Sequence, residues 1–157
     1  MKKTMFEPAR TDGQDDEELF QVVKQGLYNH VDAIWGWSED FQRERLRTNY
    51  EPEWFHWIVW GKQRVGMICF KRVDRAMHVH LLLIFPEFQN QGLGRKVMES
   101  VHEIAVQEKR EKVTLSTFLR NVSATRFYQS LGYQVVDEEG PFLSLVLSLH
   151  SPEGGVG

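Results

Sequence analysis

The stretch with the clearest chemical potential is residues 89–95, which read Gln-Asn-Gln-Gly-Leu-Gly-Arg. An apolar run over residues 79–85 leads into it, and a run with helical spacing over residues 93–104 follows it. A strand, a glycine turn and a helix in this order leave backbone N–H groups exposed where the helix begins. The helix dipole adds to their effect, so the stretch predicts an anion site that suits phosphate.

The known phosphate loops do not match this stretch. The chain has no G-x-x-x-x-G-K-[ST] sequence, which excludes a P-loop. Gly92 and Gly94 begin a G-x-G-x-x-G pattern, but Val97 stands at the third glycine position, so the dinucleotide fingerprint fails. These residues alone leave two alternatives open, a phosphate-binding turn and an ordinary strand-to-helix turn that needs two glycines.

Two histidines are the next candidates for chemistry. His78 and His80 are two residues apart on a predicted strand, so both side chains point to the same face. The pKa of imidazole suits a base near neutral pH. Two histidines satisfied near the sheet surface are the alternative. No third metal ligand is evident beside the pair, so we predict no metal site.

The elements that must position these residues follow from periodicity and turn signals. Short turns predict three antiparallel strands in a row, and the last of them, residues 77–85, is expected mid-sheet with both faces covered. The order is β-α-α-β-β-β-α-β-α-β-β, which predicts an α/β (α+β) protein with a mixed, mostly antiparallel central sheet flanked by helices. Strands are predicted at 5–10, 54–60, 65–70, 77–85, 112–118, 133–136 and 142–149, and helices after residue 15, at 39–50, from 93 to 105 and after an N-cap at Ser123.

Composition limits the class of protein. The 157 residues suit one domain over residues 1–150, followed by a flexible tail at 151–157. The net charge of −3 and the lack of a basic run do not favour a nucleic-acid partner. No apolar stretch reaches membrane-spanning length, and no signal peptide is recognisable. Cys69 is the only cysteine, which fits a reducing, cytoplasmic location.

Two motifs together resemble the GNAT N-acetyltransferase superfamily. Gln89-x-x-Gly92-x-Gly94 after a buried strand resembles the acetyl-CoA loop of that family. The run Asn121-x-x-Ala124-x-x-Phe127-Tyr128-x-x-Leu131-Gly132-Tyr133 resembles its second signature, at a fitting distance downstream. The predicted element order is also that of the family, so the resemblance covers nearly the whole chain.

The resemblance implies acetyl-CoA as cofactor and a set of residues that hold it. The backbone of Leu83, Ile84 and Phe85 would pair with the pantetheine arm like an added strand. Asn121 would hydrogen-bond the pantetheine, Ser123 is a further cofactor-binding candidate, and Tyr128 would lie near the sulfur. The backbone amides expected to cradle the pyrophosphate are those of Gln89, Asn90, Gln91, Gly92, Leu93, Gly94 and Arg95.

The reaction implied is direct attack of an amine on a thioester carbonyl. Tyr128 would give a proton to the leaving sulfur, since a phenol with an ordinary pKa near ~10 is protonated at neutral pH; a tyrosine that only packs is the alternative. The His78-x-His80 pattern resembles the arylalkylamine N-acetyltransferase branch, in which such histidines are thought to relay the amine proton. Glu87 and Glu39 are alternative bases, although both are expected to be solvated charges.

The acceptor wall of this family lies in the connection between its first two helices. Trp35, Trp37 and Glu39 fall in that connection here, and aromatic rings could hold an apolar amine or a cation. The alternative is that the tryptophans cap the core. We predict an N-acetyltransferase for a small-molecule primary amine. A protein or peptide acceptor and a catalytically idle acyl-CoA-binding sensor are the alternatives, and a homodimer is compatible with the family.

Overall fold

A computed structural model of the chain describes residues 3–10 and 13–149. The predicted fold class and element order are confirmed within these ranges. The sequence Thr11-Asp12-Gly13 is a turn signal, of which residues 11 and 12 lie outside the described residues, as does the predicted tail at 151–157. The strands are β1 Thr4–Pro8, β2 Phe55–Trp60, β3 Gln63–Val73, β4 Ala76–Ile84, β5 Lys112–Phe118, β6 Gln134–Glu139 and β7 Phe142–Ser148; the helices are α1 Asp16–Ile34, α2 Glu39–Asn49, α3 Leu93–Gln107 and α4 Val122–Ser130.

The strands form one mixed sheet in the order β1-β2-β3-β4-β5-β7-β6. β2 pairs antiparallel with β1 and β3, and β7 pairs antiparallel with β5 and β6. β4 and β5 are parallel, and their register runs over four pairs, from Ala76 with Lys112 to Val79 with Leu115. β5 continues past this register to Phe118, paired there with β7.

The chain divides into two compact units, Met1–Cys69 with Leu81–Gln91 and Phe70–His80 with Gly92–Gly157. The assignment of a single domain stays a prediction. In the first unit, the core joins the apolar stripe of α1 to the inner face of β2 and β3. Its fully buried members include Trp57, Met67 and Cys69.

The core of the second unit is built on α3 and β5, which contact each other. β5 alternates as predicted, with Val113, Leu115 and Thr117 buried and the residues between them more exposed. The helical spacing of apolar residues in α3 predicts a stripe of Leu93, Val97, Val101, Ile104 and Ala105. All of these are buried except Ile104, which is half-buried, and Met98 is buried beside them.

Three expectations about the elements were wrong. The helical periodicity of the sequence fades over residues 29–36, which predicts an earlier end for the first helix. α1 nevertheless continues to Ile34, since Val31 is buried and its carbonyl accepts from the N–H of Trp35. Residues 81–85 are each half-buried instead of covered on both faces. One side of this segment packs against the core of the first unit through Leu81, Leu83 and Phe85.

The third error concerns the start of α4. Ser123 is not the N-cap, because it lies inside the helix. Asn121 caps it instead, and its side-chain oxygen accepts from the backbone N–H of Ala124 at 3.2 Å. Asn and Ser cap helices about equally well, so composition did not decide between two candidates two residues apart.

Candidate functional site

The N-terminus of α3 offers the backbone donors that the glycine turn predicted. Gly92 is the N-cap, at a left-handed φ of +77°. The first bond inside the helix runs from the N–H of Lys96 to the carbonyl of Gly92, at 3.2 Å. The N–H groups of residues 93–95 therefore have no carbonyl within the helix to bind. The first turn holds no acidic residue, and a Cβ added at Gly92 would meet no heavy atom within 4 Å. The turn thus fits an anionic group such as phosphate.

The second glycine of the turn has a packing role. A Cβ at Gly94 would lie 3.2 Å from the ring of Phe127 on α4, closer than an unstrained contact. Gly94 therefore lets the first turn of α3 lie directly against α4. Arg95 also reaches α4, where its guanidinium donates to the hydroxyl of Ser130 at 3.4 Å.

Hydrogen bonds from two glutamine side chains to backbone carbonyls stabilise the segment before Gly92. The side-chain amide of Gln89 donates to the carbonyl of Ile84 at 2.9 Å, and Gln91 donates to the carbonyl of Glu87 at 3.4 Å. The N–H of Phe85 donates to the carbonyl of Val65 on β3 at 2.8 Å. Of the three residues predicted to pair with pantetheine, Phe85 thus has its backbone donor engaged by β3.

Tyr128 lies near the end of α4 and is buried, with 8% of its surface exposed. Burial raises the pKa of its phenol above the ordinary value, so Tyr128 is protonated throughout the neutral range. The ring of Phe127 packs edge-on at 5.0 Å between centroids. Tyr128 therefore carries the proton that a general acid needs.

A histidine that the sequence did not single out lies behind Tyr128. Nε2 of His102, on α3, is 2.7 Å from the hydroxyl of Tyr133, and the ring of Tyr133 packs edge-on against Tyr128 at 5.6 Å. Burial lowers the pKa of His102. Its spacing on α3 gave no signal, because its partner is 31 residues away in the chain.

The two histidines predicted on one face of β4 do lie together. The ring centroids of His78 and His80 are 4.7 Å apart, with the rings nearly perpendicular. Nδ1 of His78 is 2.7 Å from the hydroxyl oxygen of Thr114, its register partner on β5. Burial, and secondly the charge of Lys71, lower the pKa of His78. His78 is therefore neutral at pH 7 and keeps a lone pair.

In the connection between α1 and α2, polar side chains bond to one another and to a lysine of α1. The indole N–H of Trp37 donates to Glu39 at 2.7 Å, and Nζ of Lys24 is 3.2 Å from the same carboxylate. The ammonium of Lys24 also lies 5.9 Å from the ring centroids of both Trp37 and Tyr28. The hydrogen bond from Trp37, and secondly that from Lys24, lower the pKa of Glu39. Glu39 is thus a poor base. Trp35, in the same connection, has 58% of its surface exposed.

Comparison with known proteins identifies the family. The sequence profile of the acetyltransferase (GNAT) family matches residues 24–133. The chain belongs to the GNAT family.

One curated relative matches a short stretch of this GNAT chain. An uncharacterized N-acetyltransferase of Archaeoglobus fulgidus is 38% identical over 52 residues, which are 33% of this chain and 35% of that relative. The match thus spans about a third of the curated relative's length.

Solved structures share the fold at lower identity. The PaiA N-acetyltransferase of Thermoplasma acidophilum, solved in complex with coenzyme A, is 17% identical with a TM-score of 0.72 and covers 93% of this chain and 99% of its own. The ribosomal-protein-S18-alanine N-acetyltransferase of Escherichia coli is 16% identical with a TM-score of 0.65, covering 95% and 94%.

The structure of this GNAT chain brings some predicted site residues together within each unit. His78 joins His80, Trp37 joins Glu39, and Gln89 joins the carbonyl of Ile84. Among the described residues, no group of three or more His, Cys, Asp or Glu side chains could hold a metal ion. No helix in the described part of the chain is long and apolar enough to cross a membrane.

Proposed function

We propose that the chain is an acetyl-CoA-dependent N-acetyltransferase that transfers the acetyl group to a primary amine by direct attack. The observation that carries this proposal is the N-terminus of α3, where Gly92 and three N–H groups without a carbonyl partner in the helix fit a phosphate. Family membership supports CoA as the source of that phosphate. The complex of the PaiA enzyme with coenzyme A, on the same fold, supports the pyrophosphate of CoA as the group bound there.

Several backbone groups would hold the cofactor. Leu93, Gly94 and Arg95 would donate to the pyrophosphate, with residues 89–92 shaping the turn before them. The half-buried residues 81–85 leave apolar surface for the pantetheine arm to cover. Ile84, through its N–H, is the better pairing candidate there. The N–H of Phe85 already serves β3, the carbonyl of Leu83 lies over Gly66 of the same strand, and the carbonyl of Ile84 accepts from Gln89. Asn121 uses its oxygen as a helix cap, which leaves its side-chain NH₂ as the donor for a carbonyl of the arm.

The bound cofactor supplies an acetyl group activated as a thioester. An ammonium has no lone pair, so the amine must lose a proton before its nitrogen can form the new C–N bond. Neutral His78, with His80 beside it, is the proposed acceptor of that proton. Tyr128 would donate a proton to the sulfur, which leaves with the electron pair of the broken C–S bond.

The proposed acceptor is a small-molecule amine. The exposed indole of Trp35 supports this, since an aromatic face suits an apolar or aromatic amine. Trp37 and Glu39 would support that wall instead of binding the amine, because each is engaged by the other and by Lys24. A homodimer and a cytoplasmic location remain part of the proposal.

Thiol release from acetyl-CoA, measured with a panel of amines, tests the proposal. The panel should span aromatic amines, polyamines, amino acids and peptides. We expect release that depends on an amine, with a small molecule as the best acceptor. The best rate with a peptide would indicate a protein N-acetyltransferase. Tight CoA binding without turnover on any amine would contradict catalysis and indicate an acyl-CoA-binding sensor.

A further inference from the structure

We infer that His102 is a positioning residue for Tyr128 and acts through the hydroxyl of Tyr133. The inference rests on the proposed function, because the position of Tyr128 matters only if its phenol serves the transfer. All three residues belong to the second unit: His102 lies on α3, Tyr128 on α4, and Tyr133 three residues after the end of α4.

The first link is the short hydrogen bond between His102 and Tyr133. Nε2 and the hydroxyl oxygen are 2.7 Å apart, and which atom donates depends on the imidazole tautomer. Tyr133 is only 3% exposed. A hydroxyl buried without a partner would lose its bonds to water with no replacement, so this hydrogen bond decides where the end of the ring lies.

The second link is the packing of Tyr133 on Tyr128. The two rings meet edge to face, with 5.6 Å between centroids and 71° between planes. The backbone N–H of Tyr133 also donates to the carbonyl of Tyr128 at 3.1 Å. This bond closes the end of α4 around Gly132, which has a φ of +102°. Both the ring and the main chain of Tyr133 are therefore fixed relative to Tyr128.

The third link is α3 itself, which touches both aromatic neighbours of Tyr128. Gly94 in its first turn lies against Phe127, and His102 further along binds Tyr133. The same helix begins at the proposed phosphate site. α3 thus connects the backbone N–H groups proposed to bind the pyrophosphate of the cofactor with the phenol proposed to act at its sulfur. A misplacement of about 1 Å in such a group is enough to slow a reaction severely.

Two single variants and their combination test the link. Tyr133→Phe removes only the hydroxyl, His102→Leu removes its partner, and the third protein carries both changes. His102→Gln keeps a side chain that can hydrogen-bond and serves as the rescue variant. Tyr50→Phe is the matched control, because Tyr50 is a half-buried tyrosine packed against the core of the first unit.

We expect Tyr133→Phe and His102→Leu each to lower kcat for amine-dependent thiol release about three- to tenfold, the loss expected for one hydrogen bond. KM for acetyl-CoA should stay within about twofold, because ground-state binding is untouched. The double variant should be no slower than either single variant, and His102→Gln and Tyr50→Phe should keep the wild-type kcat. In the cofactor-free protein, Tyr133→Phe should shift the ring ¹⁵N resonances of His102.

Four results would overturn the inference. If the wild type turns over and Tyr133→Phe keeps its kcat, or if the two losses simply add, the positioning role is wrong while the proposed function stands. An unshifted His102 resonance in Tyr133→Phe would remove the hydrogen bond on which the role depends. If the wild type releases no thiol with any amine, the proposed function fails and the positioning role fails with it.

Discussion

The carbonyl oxygen of Leu83 lies over Gly66, in the place that a Cβ atom would need. Only glycine fits at this point of β3, because the obstructing group is backbone and cannot rotate away. We predict that Gly66→Ala lowers the free energy of unfolding by about 2–3 kcal/mol, the cost of overpacking a core. Urea unfolding monitored by tryptophan fluorescence measures this loss.

Gly26 on α1 is the natural control for Gly66. A Cβ at Gly26 would also meet Leu83, but there it meets the methyl end of the side chain, which can turn. Alanine is also favoured over glycine within a helix by about 1 kcal/mol. Gly26→Ala should therefore cost clearly less than Gly66→Ala. A Gly66→Ala protein as stable as the wild type would contradict this account of Leu83.

The second prediction concerns the proposed phosphate turn. Gly92→Val should weaken CoA binding by about tenfold or more, equivalent to roughly 1.4 kcal/mol. The Cβ would point into the open space where the phosphates are proposed, and a β-branched residue also disfavours the φ of +77°. Isothermal titration of CoA into the protein measures the change.

Gly140→Val separates phosphate binding from backbone strain. Gly140, in the turn between β6 and β7, also has a positive φ, and a Cβ added there would meet nothing within 4 Å. This variant should lose stability in the same way and keep its CoA affinity. An unchanged CoA affinity in Gly92→Val would remove the phosphate site from this turn.

The elements of this fold could be predicted because their signals are local. Gly92 and Gly132 stand where a turn needs left-handed backbone, and both have positive φ. Ser38, a residue type that commonly caps helices, precedes Glu39 and Asp40 and caps α2. Strand β5 was predicted to the residue from alternation alone.

What the sequence left open depends on contacts between distant residues. Residues 81–85 are apolar throughout, but composition does not say whether protein or a ligand covers them. Trp37 was predicted to line the acceptor pocket, yet its indole N–H donates to Glu39. The same carboxylate pairs with Lys24, which lies on α1 and is distant from both residues in the sequence. His102 could not be identified as a candidate from the sequence, because only the folded chain brings it to Tyr133.

The third prediction concerns Tyr128. Tyr128→Phe should lower kcat by about a hundredfold or more, the usual contribution of general acid catalysis. Its affinity for CoA should change little, since the ring is kept. Because burial raises the pKa of the phenol, no alkaline limb near the ordinary value for tyrosine should belong to it. Stopped-flow turnover and CoA titration of the same preparation separate the two effects, and an unchanged kcat would remove the acid role.

The fourth prediction is a dependence of stability on pH through Asp15. Its carboxylate accepts from the backbone N–H of Arg10 at 2.8 Å and from the indole of Trp57 at 3.1 Å. The Arg10 bond is the main cause of its lowered pKa. A lowered folded pKa means that the stabilisation is complete above the unfolded value and is lost as pH falls through the folded value.

Asp15→Asn should therefore lower the free energy of unfolding at pH 7 by about 1–2 kcal/mol, as for a hydrogen bond to a charged group. The difference in free energy of unfolding between Asp15→Asn and the wild type should narrow once the pH falls below about 4. Urea unfolding across pH 3–7 measures both. Asp137→Asn, on the exposed strand β6, is the control and should show no such gap. A gap that is the same at every pH would contradict the role of the charge.

The last prediction concerns the base. If neutral His78 takes the amine proton, kcat/KM must fall as pH drops through the pKa of His78, and burial sets that pKa below the ordinary 6.5. His78→Ala combined with His80→Ala should lower kcat/KM and displace this acidic limb. His56→Gln, a change on β2, should leave the limb where it is. Thr114→Val should also move it, because the hydroxyl of Thr114 is the hydrogen-bond partner of Nδ1. An acidic limb that stays in place when both histidines are gone would assign the base to another group.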